Sequence, residues 1–219
     1  MAERRVIFFD VGNTLLFPNR AKILAPISRD RHPTLQQWQA LERRNKHEFD
    51  QGVTSGRVDH GFWWIFHTHL LRQLEETAAL REVLVENTRS SANWDQILPG
   101  TRDALTRIAQ NFRIGVISNS DGKIEYVLSR CGIADCFESI TDSGTVGVEK
   151  PRPEIFEAAL SAMQARADES LYVGDMYSVD YLGACNAGME AVLFDVSGAY
   201  RDRELPRVES IEQLEAWLR

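Results

Sequence analysis

Short apolar runs, each set apart from the next by residues at helical spacing, constrain this chain more than anything else in it. Val6-Ile-Phe-Phe9 is four apolar, β-prone residues without polar alternation, and it stops at Asp10. A strand that shows water neither face reads this way, and such strands belong to parallel sheets covered on both sides. Ile114-Gly-Val-Ile117, Leu171-Tyr-Val173 and Ala191-Val-Leu-Phe194 share the character, and Ser139-Ile-Thr141 is a weaker instance. Helical spacing fills the intervals. Leu105, Ile108, Ala109 and Phe112 precede the second run, and Ile124, Val127, Leu128 and Cys131 follow it, with a stop at Gly132. Ile155, Phe156, Ala159, Leu160 and Met163 follow Pro153, a residue suited to a first helical turn. Val179, Leu182 and Gly183 predict a helix ending at Gly188, and Ser210 with Gln213 reads as a capping box for a last helix through Leu214 and Leu218. Strand and helix in alternation imply right-handed crossovers, and hence an α/β fold on a doubly wound parallel sheet.

Between about Phe17 and Trp94 the strand signals vanish and helical ones accumulate, which marks an insert. Thr34 with Gln37 can cap a helix carrying Leu35, Trp38, Leu41 and Phe49 to near Gly52; a second is expected from Asp59 towards Leu74, and a third through Leu80, Val83 and Leu84. Four of the five tryptophans and all five histidines (His32, His47, His60, His67, His69) fall here, so the insert either has its own small core or presents an aromatic surface. Phe62-Trp-Trp-Ile-Phe66 is expected to be core and interface packing, because large apolar rings are mostly buried, and the histidines are expected to be surface or packing residues.

With 219 residues, 43% hydrophobic and 26% charged, the chain has apolar side chains enough for one core with an insert, and it lacks the composition of a disordered segment. A net charge of −7 and the absence of any basic run argue against nucleic acid as a partner. No apolar run approaches the length of a membrane span, so a soluble protein without signal peptide or membrane partner is expected. Three cysteines cannot all pair and lie near no clustered histidines, so neither a disulfide framework nor a zinc site is expected, and a reducing cytoplasm fits.

The chemistry gathers where the apolar runs end. Asp10 closes the first, at the carboxyl edge where open α/β sheets bind ligands, and Gly12-Asn-Thr14 after it lets backbone approach a ligand closely. Ser118-Asn-Ser-Asp-Gly122 closes the second and leads into a helix, a place whose hydroxyl and free N–H groups suit phosphate oxygens. Lys150, in Gly147-Val-Glu-Lys-Pro-Arg-Pro153, could offset the charge of a nucleophilic carboxylate and a phosphate together. Asp175 and Asp180, five apart after the third run, offer hard oxygen ligands of the kind Mg²⁺ takes. Each feature alone has an ordinary reading: a turn or helix cap for the acids and serines, an exposed surface residue for the lysine.

Together, Asp10-Val-Gly-Asn-Thr-Leu15, Ser118-Asn119, Lys150-Pro151 and Gly174-Asp-x4-Asp180 resemble the four motifs of the haloacid dehalogenase superfamily of hydrolases. Gly183-Ala-Cys-Asn-Ala-Gly-Met189 is similar to the stretch that follows the fourth. The insert looks like that superfamily's C1 helical cap, which implies a Rossmann-like core of 1–16 and 95–219 and a cap of 17–94. The resemblance implies that Asp10 attacks phosphorus to form an aspartyl-phosphate, that Ser118 and the N–H of Asn119 hold the phosphoryl oxygens, and that Lys150 steadies both anions. It also implies Mg²⁺ held by Asp10, the carbonyl of Gly12, Asp175 and Asp180, and a small phosphorylated metabolite as substrate.

One position departs from the pattern. The family's phosphatases carry a second Asp two residues after the nucleophile as general acid and base, and here that residue is Gly12. Loss of a positioned acid typically costs ~10²- to 10⁴-fold in rate, most for poor leaving groups. Glu42, Glu48 or His47 could supply the proton from the cap. The alternatives are a phosphonatase-like C–P hydrolase using a cap lysine, Lys22 or Lys46, and a weakened relative that only binds a metabolite or protein.

Overall fold

In the computed structural model, which describes residues 5–56 and 61–219, β1 (Val6–Phe9) is followed by β2 (Leu16–Phe17) and then by four helices, α1 (Arg20–Ile23), α2 (Leu35–Ser55), α3 (Phe62–Gln73) and α4 (Arg81–Arg89). The chain returns through β3 (Gln96–Ile97), α5 (Thr101–Ile108), β4 (Arg113–Ser118), α6 (Ile124–Arg130), β5 (Ser139–Asp142), α7 (Ser143–Val146) and α8 (Pro153–Ala162). It ends with β6 (Ser170–Gly174), one π-helical turn at Tyr177–Tyr181, α9 (Leu182–Asn186), β7 (Glu190–Phe194), β8 (Arg207–Val208) and α10 (Ile211–Trp217).

Six strands form one sheet in the order β5-β4-β1-β6-β7-β8, every pair parallel. From β1 the chain builds outward through β4 and β5, then crosses back to lay β6, β7 and β8 on the other side. The reversal falls beside β1, and the crevice it opens at the carboxyl ends of β1 and β6 is the natural ligand site of such a sheet. The apolar run of β1 is explained by its place: Ile7 and Phe9 join one cluster with Leu105, Val127, Leu128 and Leu214, while Val6 and Phe8 join another with Ile155, Phe156 and Ala159 on the opposite face. All five strands read from the sequence are present.

β2 and β3 pair antiparallel, Leu16 with Ile97 and Phe17 with Gln96, and form the stem from which the helical insert leaves. Neither strand, nor β8, is legible from the sequence, since two residues carry no periodicity. The insert has its own apolar cluster, in which Ile23, Leu24, Trp38, Leu41, Phe66, Leu70 and Leu84 are buried. The Thr34–Gln37 capping box closes as expected, but α2 runs through Gly52 to Ser55 and ends only at Gly56, whose φ of 67° is a left-handed stop that costs a glycine little. α3 is described from Phe62; the expected start at Asp59 lies outside the described residues. Two further expectations need correction. α5 stops at Ile108, so Phe112 belongs to the turn before β4. At α10, Ser210 caps the Gln213 N–H, but the Gln213 side chain accepts from the N–H of Glu209 instead of closing a box. Among the described residues no helix is long and apolar enough to cross a membrane.

Candidate active site

The residues singled out at the ends of β1, β4 and β6 and in the loop before α8 converge on one cavity of about 690 Å³. Its wall includes Asp10, Gly12, Ser118, Asn119, Lys150, Asp175 and Asp180. Parallel strands in register bring their carboxyl ends to one edge, so side chains more than a hundred residues apart in sequence become neighbours there.

Asp10 leaves β1 buried, only 7% exposed. Its Oδ1 accepts from Lys150 Nζ at 2.7 Å, and its Oδ2 lies 3.4 Å from the Thr14 hydroxyl that donates to it. Lys150 Nζ also donates to Asp180 Oδ1 at 2.7 Å and to the Tyr172 hydroxyl at 2.6 Å, so its three hydrogens are all engaged by the protein. Burial alone would lower the lysine's pKa, but Asp10 and Asp180 outweigh it and hold the ammonium up at about 12. The loop that carries Lys150 is fixed by Asn119, whose side chain donates to the Lys150 carbonyl at 3.0 Å and accepts from the Lys150 N–H at 2.7 Å. Asn119 therefore turns its side chain to the lysine loop. Ser118, at the end of β4, is buried on the cavity wall.

The loop after β6 is shaped by Gly174 and Asp180. A Cβ on Gly174 would stand 2.5 Å from Asp180 Cγ, so only glycine lets that carboxylate fold back over the strand end. Asp180 Oδ2 then accepts the Met176 N–H at 2.9 Å. Asp10, Asp175 and Asp180 each present a carboxylate oxygen within 4.8 Å of the others. Burial raises Asp10 to about 6 against the pull of Lys150, and raises Asp175 to about 7 against the pull of a second lysine, Lys46. Three buried carboxylates facing two ammonium groups leave a negative surplus. Hard oxygen donors with that surplus are what a divalent cation such as Mg²⁺ requires, and the three aspartates could hold one.

Lys46, which the sequence offers only as a candidate imine lysine, takes a different place. It projects from α2, is 1% exposed, and donates to Asp175 Oδ2 at 2.8 Å and to the Asp175 carbonyl at 3.0 Å, with Glu42 Oε1 at 3.2 Å. Burial works against its charge, but Asp175 and Glu42 keep its pKa well above that of a free lysine. One turn on, Asp50 accepts the Ser178 N–H at 3.0 Å and the Tyr200 hydroxyl at 2.8 Å. The insert is thus tied to the loop that carries Asp175. Tyr172 was likewise hidden, as one ring in an apolar strand. A polar atom in a strand buried on both faces is the signal that could have flagged it, since such an atom needs a partner.

The insert's side of the cavity is aromatic. Phe49, Phe62, Trp63, Trp64 and Trp94 line it; Phe66 is in the insert's core and Phe62 and Trp63 pack against that core, as expected, while they also face the cavity. His67 is a packing residue, bonded to the Thr88 hydroxyl at 2.7 Å and pushed by burial down to about 3. His60 lies outside the described residues. The three groups considered as proton donors are engaged elsewhere: Glu42 with Lys46, Glu48 with His69 at 2.9 Å, and His47 edge-on to Tyr200.

A doubly wound α/β protein with an aspartate-centred acidic cleft beneath a helical insert is the class that fold and site define. The chain belongs to the haloacid dehalogenase-like hydrolases, whose family model matches residues 4–188. It is 29% identical over 162 residues to haloacid dehalogenase-like hydrolase domain-containing protein 3 of Bos taurus, a match that covers 71% of this chain and 64% of that protein. Over 205 residues, 87% of this chain and 81% of the relative, it is 37% identical to glyceraldehyde 3-phosphate phosphatase of Pyrococcus abyssi. Its fold matches that of the HAD-hydrolase YfnB of Bacillus subtilis, solved bound to magnesium, with a TM-score of 0.72, 20% identity and 99% coverage of each chain.

Proposed function

We propose that this protein is a Mg²⁺-dependent phosphatase of small phosphorylated metabolites, acting through an aspartyl-phosphate on Asp10. The observation that carries the reading is the Asp10 carboxylate itself: buried, bonded to a fixed ammonium at 2.7 Å, and set among two further carboxylates on the wall of a cavity large enough for a metabolite. A relative 37% identical over 205 residues is named a phosphatase of glyceraldehyde 3-phosphate, a substrate of that class.

In this reading Asp10 attacks phosphorus with one carboxylate oxygen, while Ser118 and the Asn119 N–H hold the phosphoryl oxygens. Lys150 keeps Asp10 ionised and aimed, and Asn119 keeps Lys150 in place. Asp10, the Gly12 carbonyl, Asp175 and Asp180 would hold Mg²⁺, which when bound supplies positive charge against the repulsion between carboxylate and phosphate. The insert acts as a cap over the reacting groups. Lys46 does not support an imine role, because its ammonium is held protonated on Asp175 and Glu42. Lys22 is committed to Asp95.

The test is phosphate release from acetyl phosphate with Mg²⁺. Wild-type protein is expected to turn over and to lose activity on chelation, and Asp10→Asn is expected to lose at least about 10³-fold, the usual scale for removal of a nucleophile. Equal traces from both proteins would leave only a binding role.

A further inference from the structure

Two features of the cavity say what kind of group leaves. The first is at Gly12. A Cβ built there would lie 3.4 Å from Cζ3 and 3.7 Å from Cε3 of Trp94, so a side chain at 12 would start in contact with the indole. Trp94 is itself fixed, 8% exposed, with its Nε1–H donating to the Thr88 carbonyl at 2.7 Å. Beyond the aspartate trio, the acids described on the wall are Asp121 and Glu149. Burial favours the neutral form of Asp121, but bonding to Ser91 outweighs it and holds the group below the ordinary carboxylate range, so it has no proton to give at neutral pH. Glu149 is exposed. Among the described residues, then, no acid stands at position 12, and an indole lies against it.

The second feature is the wall that faces this ring. Trp63 meets Trp94 edge-to-face at 5.5 Å between centroids, Phe62 meets Trp63 at 4.8 Å, and Phe49 meets Phe62 at 5.8 Å. The Thr88 hydroxyl is already engaged by the Leu84 carbonyl and by His67, while Arg89, Ser91 and Ser120 also line the cavity. Laid against these rings, a polyol would strand its own hydroxyls. A flat apolar group gains ring contacts and loses no hydrogen bonds.

We propose that the substrate is an aryl phosphate: a phosphate monoester whose leaving oxygen sits on a planar aromatic group held against the aromatic wall of Phe49, Phe62, Trp63 and Trp94. This rests on the phosphatase reading and narrows it. Asp10 attacks phosphorus, and the bond to the aryl oxygen breaks with its electron pair staying on that oxygen. The aryloxide departs unprotonated, which an aryl oxygen does readily and the more basic alkyl oxygen does not, and takes its proton from solvent afterwards. Water then attacks the aspartyl-phosphate at phosphorus, Asp10 recovers its carboxylate, and hydrogen phosphate leaves with one of the water's protons while the other passes to solvent.

The experiment compares kcat/KM, with Mg²⁺, for acetyl phosphate, p-nitrophenyl phosphate, phenyl phosphate, p-methoxyphenyl phosphate, glycerol 3-phosphate and uridine 5′-monophosphate. The aryl series is expected to fall steeply as the phenol becomes more basic, by about tenfold or more, and glycerol 3-phosphate is expected to lie at least about 10²-fold below p-nitrophenyl phosphate. Trp63→Leu and, separately, Phe62→Leu are expected to cut the ratio of phenyl phosphate to acetyl phosphate turnover by about tenfold, with circular dichroism as the check on folding. If wild-type protein turns over acetyl phosphate but shows no dependence on the phenol, or prefers glycerol 3-phosphate or the nucleotide to phenyl phosphate, the aryl assignment is overturned and the phosphatase reading stands. If acetyl phosphate is not turned over at all, the phosphatase reading goes and the assignment with it.

Discussion

Position 12 carries no side chain, and the indole of Trp94 takes up the room. A Cβ would just fit in van der Waals contact, but a carboxylate beyond it has no path in the direction of the ring. Gly12→Asp alone is therefore expected to change glycerol 3-phosphate turnover by less than about threefold, well short of what a positioned acid supplies. Gly12→Asp combined with Trp94→Leu is expected to gain about 10²-fold over Trp94→Leu alone, measured as phosphate release on protein whose folding is checked by circular dichroism. A large gain from the single substitution would mean that the ring moves aside freely. Asp10 and Lys150 are legible from sequence, since each sits in a short local motif. The Gly12–Trp94 pair is not, because its partners are some eighty residues apart and nothing local to either names the other.

At the scale of elements, α2 decides how the insert meets the sheet. Glu42, Lys46 and Asp50 recur every fourth residue, so they share one stripe of the helix. A charged stripe reads as a solvated face. Here it is buried, because the segments after β6 and β7 supply partners, Asp175 for Lys46 and Ser178 with Tyr200 for Asp50, while Glu42 pairs with Lys46 itself. Breaking a buried ion pair from one side leaves an uncompensated charge and costs about 3 to 5 kcal/mol. Lys46→Met is expected to lose about 3 kcal/mol in urea unfolding without divalent cations, and to recover part of it in Mg²⁺. A loss below about 0.5 kcal/mol, the range of an ordinary surface substitution, would mean that the contact with Asp175 contributes little.

For the whole molecule, the acidic trio couples stability to pH and metal. The folded protein raises Asp10 to about 6 and Asp175 to about 7, above the 3.8 of a free aspartate. Between about pH 4 and 7 the folded state thus holds protons that the unfolded chain has released, and stability from these two groups falls as pH rises through that window. A divalent cation competes with those protons and relieves the same repulsion. The rise in Tm on adding Mg²⁺ is expected to be larger at pH 8 than at pH 5, read by thermal unfolding at both; the reverse order would count against the trio as the metal site. The sequence by itself determined the sheet strands that bury both faces, the edge at which Asp10, Ser118, Lys150, Asp175 and Asp180 gather, and the place of the helical insert. These follow from burial periodicity and short motifs, which are local. Only the tertiary structure decided that Lys46 and Asp50 face inward, that Tyr172 supports Lys150, and that Trp94 fills the space above Gly12. Those contacts form between segments far apart in the chain, where charge and shape find partners through packing and leave no periodic trace in either segment alone.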